Sequence, residues 1–238
     1  MKVYLILFRQ NKLVVKQKNK LFVCILTFAL NACTPAYIPN VINTPMLTNK
    51  GEIQAAVYTG TSNFDQQFAY APTDHFGLML NGSFAYNLNT ASGYKHMHKF
   101  VELGAGYYTK LENNGRFEVF GGFGGGNLKS KNISDLWNET VNANSYRIFI
   151  QPSIGASTQL FDGSLATRLV MVNIYQGSHT TTGYLIEPAL TGKVGYKYVK
   201  AVAQLGLSIP AGNSVKFAYQ PFMFSLGIQA FLFKNHEN

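Results

Sequence analysis

The chain has 238 residues, of which 13% are charged and 14% aromatic, with a formal net charge of +9. Soluble domains carry roughly 25% charged residues, so this composition argues against an ordinary water-facing surface. The positive excess is local: Lys2, Arg9, Lys12, Lys16, Lys18 and Lys20 all precede the first acidic residue. It marks one end of the chain and excludes a nucleic-acid footprint spread over the whole.

That basic start is followed by an apolar run, Leu21 to Leu30, which ends in Asn31-Ala32-Cys33. A basic region, a short apolar stretch and a small residue at the cut make up an export signal. The apolar stretch is shorter than the roughly 20 residues of a spanning helix. Leu30-Asn31-Ala32-Cys33 resembles the lipobox of bacterial lipoproteins. The resemblance implies that residues 1–32 are a lipoprotein signal peptide and that Cys33 carries covalent acyl chains, palmitate among them. Cys24 would leave with the signal, and no disulfide could then form in the mature chain.

Residues 33–51 contain Pro35, Pro39 and Pro45 among Asn and Thr residues, the composition of an extended tether. From residue 52 to 238 the period is that of strands. In chain order the predicted strands cover 52–59, 64–72, 76–87, 97–109, 116–126, 145–158, 165–175, 184–197, 200–210 and 219–233. In the eighth, Tyr184, Ile186, Pro188, Leu190, Val194 and Tyr196 share one face, opposite Glu187, Ala189, Thr191, Lys193 and Lys197. In the fourth, Val101, Leu103, Ala105 and Tyr107 oppose Glu102, Gly104 and Gly106. The seventh is mixed, because Arg168 shares parity with Val170, Val172 and Ile174. Either its charge snorkels to a periplasmic interface or a bulge switches the faces.

The spacers alternate in length, with short turns at 72–75, 110–115, 159–164 and 198–199. Longer loops are expected at 88–96, 127–144, 176–183 and 211–218; the first hairpin, at 60–63, breaks the rule. Short turns on one side and long loops on the other mark outer-membrane barrels. The polar faces hold Gly, Ser, Ala, Asn and Gln with few charges, whereas a water-facing sheet carries more Lys and Glu. Aromatics gather at the strand ends, as interfacial girdles require. The expected fold is all-β, a closed antiparallel up-and-down membrane β-barrel of about ten strands, with eight as the smaller count. An even count places the N- and C-termini on the periplasmic side.

The interior face collects Glu102, Glu118, Arg147, Glu187, Lys193 and Lys197, with Arg116 near the mouth. Arg147 and Glu187 fall in the loop-side third, where they are expected to pair, and Glu118 and Lys193 fall in the turn-side third. Buried charges must be paired, so the cluster reads as a structural filling of a narrow barrel. His96 and His98 share a strand face but lack a third ligand, and flanking lysines disfavour a metal. They read as a basic strand end against lipid headgroups. Gly121 to Gly126 lacks both the GK[ST] ending and the following helix of a phosphate loop, and reads as strand. Ten-stranded omptin proteases place acid and His residues at the rim. Here Ser178, His179, Asp135 and Glu139 stand on loops without a nucleophile motif, so no enzyme and no cofactor is expected. Trp137, the one tryptophan, sits on the loop 127–144 and is a candidate contact for a protein or surface ligand.

The Cys33 start, the tether and the alternating strands together resemble the small outer-membrane β-barrel lipoproteins of Gram-negative bacteria. That resemblance implies a cell outer-membrane location with a lipid anchor, and a structural or envelope-interaction role without catalysis. Its partners would be outer-membrane lipid and the acyl chains on Cys33, with no nucleic acid. Two other roles remain open: a surface binding module using the long loops, and a narrow channel.

Overall fold

The computed structural model describes residues 35–89, 94–132 and 140–233. Ten antiparallel strands form one closed meander. They are β1 (Ile53–Gly60), β2 (Asn63–Tyr70), β3 (Phe76–Asn89), β4 (Tyr94–Lys110), β5 (Gly115–Asn132), β6 (Thr140–Ser157), β7 (Phe161–Gln176), β8 (His179–Tyr196), β9 (Val199–Leu207) and β10 (Phe222–Phe233). The pair Ile209–Pro210 continues β9 beyond Ser208 and stays bonded to β8. β10 pairs with β9 and, at the seam, with β1, where Val57 faces Ile228. Closure leaves no free sheet edge, as lipid demands.

The faces are those of a membrane barrel. Leu103, Ile148, Ile150, Leu165, Leu190, Leu226 and Ile228 are all about half exposed on the outside, while Glu102, Gln151, Glu187 and Gln204 are buried within. Exposed aromatics bound the apolar belt at both ends. Phe76, Tyr107, Phe161 and Tyr196 lie toward the short turns; Tyr86, Tyr146, Tyr175 and Tyr184 lie toward the other end. Ten residues separate Phe76 from Tyr86 on β3. At about 3.4 Å per residue and a tilt of about 40°, they are roughly 26 Å apart along the axis, the height of a lipid-facing belt.

On the turn side the connections are short, as expected. Asn113 and Asn114 hold positive φ angles of 55° and 63°, a region that Asn visits more readily than most residues. On the loop side the strands run further than their polarity suggests. The expected loop 176–183 contracts to Gly177 and Ser178, with Gly177 at φ 58° and Gln176 facing His179. The expected loop 127–144 is largely strand, with Asn127 opposite Asn144. These polar residues stand above the apolar belt, where backbone pairing and Thr-rich β propensity suffice without an apolar face. Residues 211–221 remain a true loop. The wall is therefore uneven: β1 and β2 have 8 residues each, β5 and β6 have 18.

Arg168 points inward and is fully buried, in unbroken register opposite Glu187. Neither the snorkelling position nor the bulge is present. Strand β7 looked mixed because the loop-side third of the interior is itself apolar. There Val170, Val172, Ile174 and Leu185 pack with Tyr37, Phe217 and Val215. Lys197, expected inside, is an exposed turn residue at φ 52°.

The largest difference concerns the tether. Residues 35–47 form neither helix nor strand, yet they run through the lumen. Among them Val41, Ile42 and Leu47 have no exposed surface. Pro35 stands at the loop-side end, not the turn-side end expected for the N-terminus. β10 ends on the turn side, where Phe233 faces Ile53.

An arginine introduced at Ile148, 58% exposed on the belt, separates a membrane barrel from a soluble one. In lipid vesicles Ile148→Arg should cost about 2–4 kcal/mol in urea unfolding; a soluble barrel would tolerate it.

Candidate functional site

The site is the lumen and the strap of residues 35–47 that fills it. An extended chain inside a closed wall cannot join the sheet, so side chains must satisfy its backbone. Pro39 and Pro45 remove two donors from the problem. Four long side chains on the wall serve the middle of the strap. Gln204 accepts from the Ile42 N–H and donates to the Ile42 carbonyl, each at 2.8 Å. Gln67 donates to the Val41 carbonyl at 2.8 Å, and Gln151 to that of Asn43 at 2.7 Å. The Lys193 ammonium donates to the Thr44 carbonyl at 2.7 Å. Nearer the turns, Glu118 accepts the Leu47 N–H at 2.8 Å.

Apolar strap residues alternate with these bonds. Val41 packs with Ala56, Tyr58 and Val202, and Ile42 with Ala166, Ala189 and Met223. Full burial of such a side chain is worth about 1.5–3 kcal/mol.

The charges meet at Glu102. Its carboxylate lies 2.6 Å from Arg147 Nε and 3.3 Å from Arg168 Nη1, and all three side chains are sealed from solvent. Asn81 and, from the strap, Asn40 donate to the same carboxylate. Arg168 also bonds Gln151 at 2.9 Å and Asn40 at 3.2 Å. Each guanidinium lies over a ring: Arg147 is 3.7 Å from the Phe100 centroid, and Arg168 is 4.3 Å from that of Phe149. Such contacts strengthen when desolvated. A glycine opposite makes room: a Cβ at Gly124 would stand 2.7 Å from the Glu102 Cγ.

The expected pairing is thus rearranged. Arg147 turns to Glu102, and Glu187 instead accepts from the Tyr37 hydroxyl at 2.8 Å and from Ser208 at 2.7 Å. Glu118 and Lys193 both face the strap, and Arg116 sits nearly buried near the turns. Sequence parity placed Glu102, Glu118, Arg147, Glu187 and Lys193 inside, but it missed Arg168 and the second ion pair, Asp162 with Lys200 at 2.7 Å. The strap could have been suspected from Gln67, Gln151 and Gln204, three long amides on inward faces whose donors reach the strap carbonyls.

His96 and His98 point inward, not toward headgroups. His96 Nε2 is 3.1 Å from His98 Nδ1, and Ser83 bonds His98 at 2.9 Å. Among the described residues no three His, Cys, Asp or Glu side chains gather as a metal site would need. Beside Tyr37 the lumen keeps a cavity of about 30 Å³, lined by His96, His98, Ser145 and Arg147, which holds on the order of one water. Ser178 and His179 stand exposed at the two-residue turn between β7 and β8. Trp137, Asp135, Glu139 and Cys33 lie outside the described residues.

No family model matches the chain, and no curated protein matches it. Among solved structures it is similar to the N-terminal β-barrel domain of Pseudomonas aeruginosa OprF. The identity there is 14%, covering 78% of this chain and 98% of that one, with a TM-score of 0.35. It is also similar to the KdgM porin, at 11% identity over 78% and 99% of the two chains, with a TM-score of 0.37. At this level the likeness is one of barrel form, and the fold stands on the chain's own strand pairing.

Removing the hub carboxylate should be worse than removing either cation. Glu102→Leu strands two buried guanidiniums and should cost about 3–5 kcal/mol. Arg147→Met leaves Arg168 on Glu102 and should cost less. Urea midpoints of the folded, heat-modifiable band would rank the two; the reverse order would mean that Glu102 is not the hub.

Proposed function

We propose that this chain is an outer-membrane β-barrel lipoprotein with a structural or envelope-interaction role, closed to solutes by its own strap. The observation that carries this reading is the burial of residues 35–47 along the whole lumen, bonded to the wall from Tyr37 to Leu47. A ten-stranded barrel has little free interior, since about eight strands are just filled by side chains and about sixteen leave a channel. Here a second layer of chain takes up that remainder.

The lumenal chemistry favours closure over conduction. A permeation path needs charged side chains that face water and exchange partners with a solute. In this interior the cations and carboxylates bond one another, the strap or the wall. The apolar exterior with two aromatic girdles supports a membrane location, and closed barrels are the bacterial outer membrane's spanning form. Leu30 to Cys33 supports lipidation, with residues 1–32 as the cleaved signal.

In planar bilayers the purified full chain should show no steady openings. A variant lacking residues 35–47 but keeping Cys33 should conduct once heat modifiability confirms a folded barrel. Steady conductance of the full chain would favour the channel reading instead. Mass spectrometry of the mature N-terminus should find acylated Cys33, and a free thiol there would remove the lipoprotein assignment.

A further inference from the structure

The strap has a direction. At its upstream end the backbone of Pro35 lies against the His96 ring. The N–H groups of Ala36 and Tyr37 donate to the Ala218 carbonyl at 2.8 and 3.1 Å, and the Gln220 N–H donates to the Tyr37 carbonyl at 2.9 Å. Those partners belong to the loop 211–221 and to the top of β4. At the downstream end Leu47 bonds Glu118 near the start of β5, and Thr48 bonds Glu52 just before β1. The strap therefore runs from the loop side to the turn side.

The distances leave little freedom to the residues before it. Fourteen residues of β4 separate His96 from Lys110, about 48 Å along the strand and roughly 36 Å along the axis at a tilt of about 40°. Cys33 is two residues upstream of Pro35 and can stand at most about 7 Å from it. It cannot reach the turn-side mouth. A return path down the lumen is closed as well, because the strap occupies it.

We propose that the chain upstream of Pro35 leaves the barrel through the loop-side mouth, on the cell surface. The acyl chains of Cys33 would then lie in the surface leaflet and not in the periplasmic one. The assignment of acyl chains rests on the lipoprotein reading above; the choice of side rests on the strap alone. The loop side is taken as the surface because the tall wall of β4 to β8 and the longest described connection both project there. The strap's upstream end stands among the tall strands, with Ala36, Tyr37 and Ile38 beside His96, Leu128 and Arg147, and residues 36 and 37 are joined to the loop that precedes β10.

The test uses the full chain with an epitope inserted after Thr34 and with Thr44→Cys and Ser164→Cys, whose hydroxyls stand 3.1 Å apart. Oxidation should join strap to wall in a folded, heat-modifiable barrel, and the shifted band certifies that tagged molecules are threaded. Antibody should then bind intact cells as strongly as when the epitope is placed at Ser178. Staining of the joined protein only after permeabilisation, as expected for an epitope after Asn113, would overturn the proposal. So would failure of the two cysteines to join in a folded barrel. Mass spectrometry of the N-terminus keeps the two readings apart: an unacylated Cys33 on a surface-stained protein would sink the lipoprotein assignment while supporting the path.

Discussion

A single buried carboxylate, Glu102, organises the middle of this molecule. Two guanidiniums, two wall amides and one strap amide converge around it in a volume sealed from water. Desolvation of each of these ions is expensive, and only mutual contact together with full hydrogen bonding offsets it. Asn40 belongs to this network, so the strap is bound into the electrostatics of the wall as well as into its packing. Glycines on the inward face of β5 leave the space in which this can happen.

The same constraint governs the length of the strap. Strand pairing uses up the wall's own backbone groups, so below the loop contacts of Ala218 and Gln220 it is side chains that satisfy the thirteen-residue guest. Gln67, Gln151, Gln204 and Lys193 do this from four different strands. Each reaches a different peptide group, which fixes the strap's height to within one residue. A shift by a single position would place amide against side chain and leave buried carbonyls bare, at about 1–3 kcal/mol apiece. Specific closure thus arises from amides, while the apolar contacts of Val41, Ile42 and Leu47 supply affinity.

Much of the wall was legible from alternation. All ten strands and the inward positions of Glu102, Glu118, Arg147, Glu187 and Lys193 follow from period two, because lipid outside and polar groups inside impose opposite faces. What alternation could not reveal was any fact about a chain that has no period. The strap looks like a Pro-containing linker, and its burial depends on distant partners such as Gln67 and Gln204, 26 and 162 residues away. The lengths of the upper strands were hidden for a different reason. Above the lipid belt a strand needs no apolar face, so Thr180 to Thr182 and Asn142 to Asn144 read as loop. Arg168 was misplaced because the upper lumen holds an apolar cluster, which mimics a lipid-facing stripe in β7.

The seam between β1 and β10 also has a kinetic meaning. The cavity left beside Tyr37 holds about one water, so a strap carrying the acyl chains proposed for Cys33 would have no room to be drawn through a finished cylinder. On that reading the wall closes around a strap already laid down, and the seam of β1 and β10 completes the ring. Once that ring is shut, the strap is a mechanical bond: it continues into β1 at one end and would carry fatty chains at the other. It can then leave only if the seam opens. Release of the guest and rupture of the host become the same event.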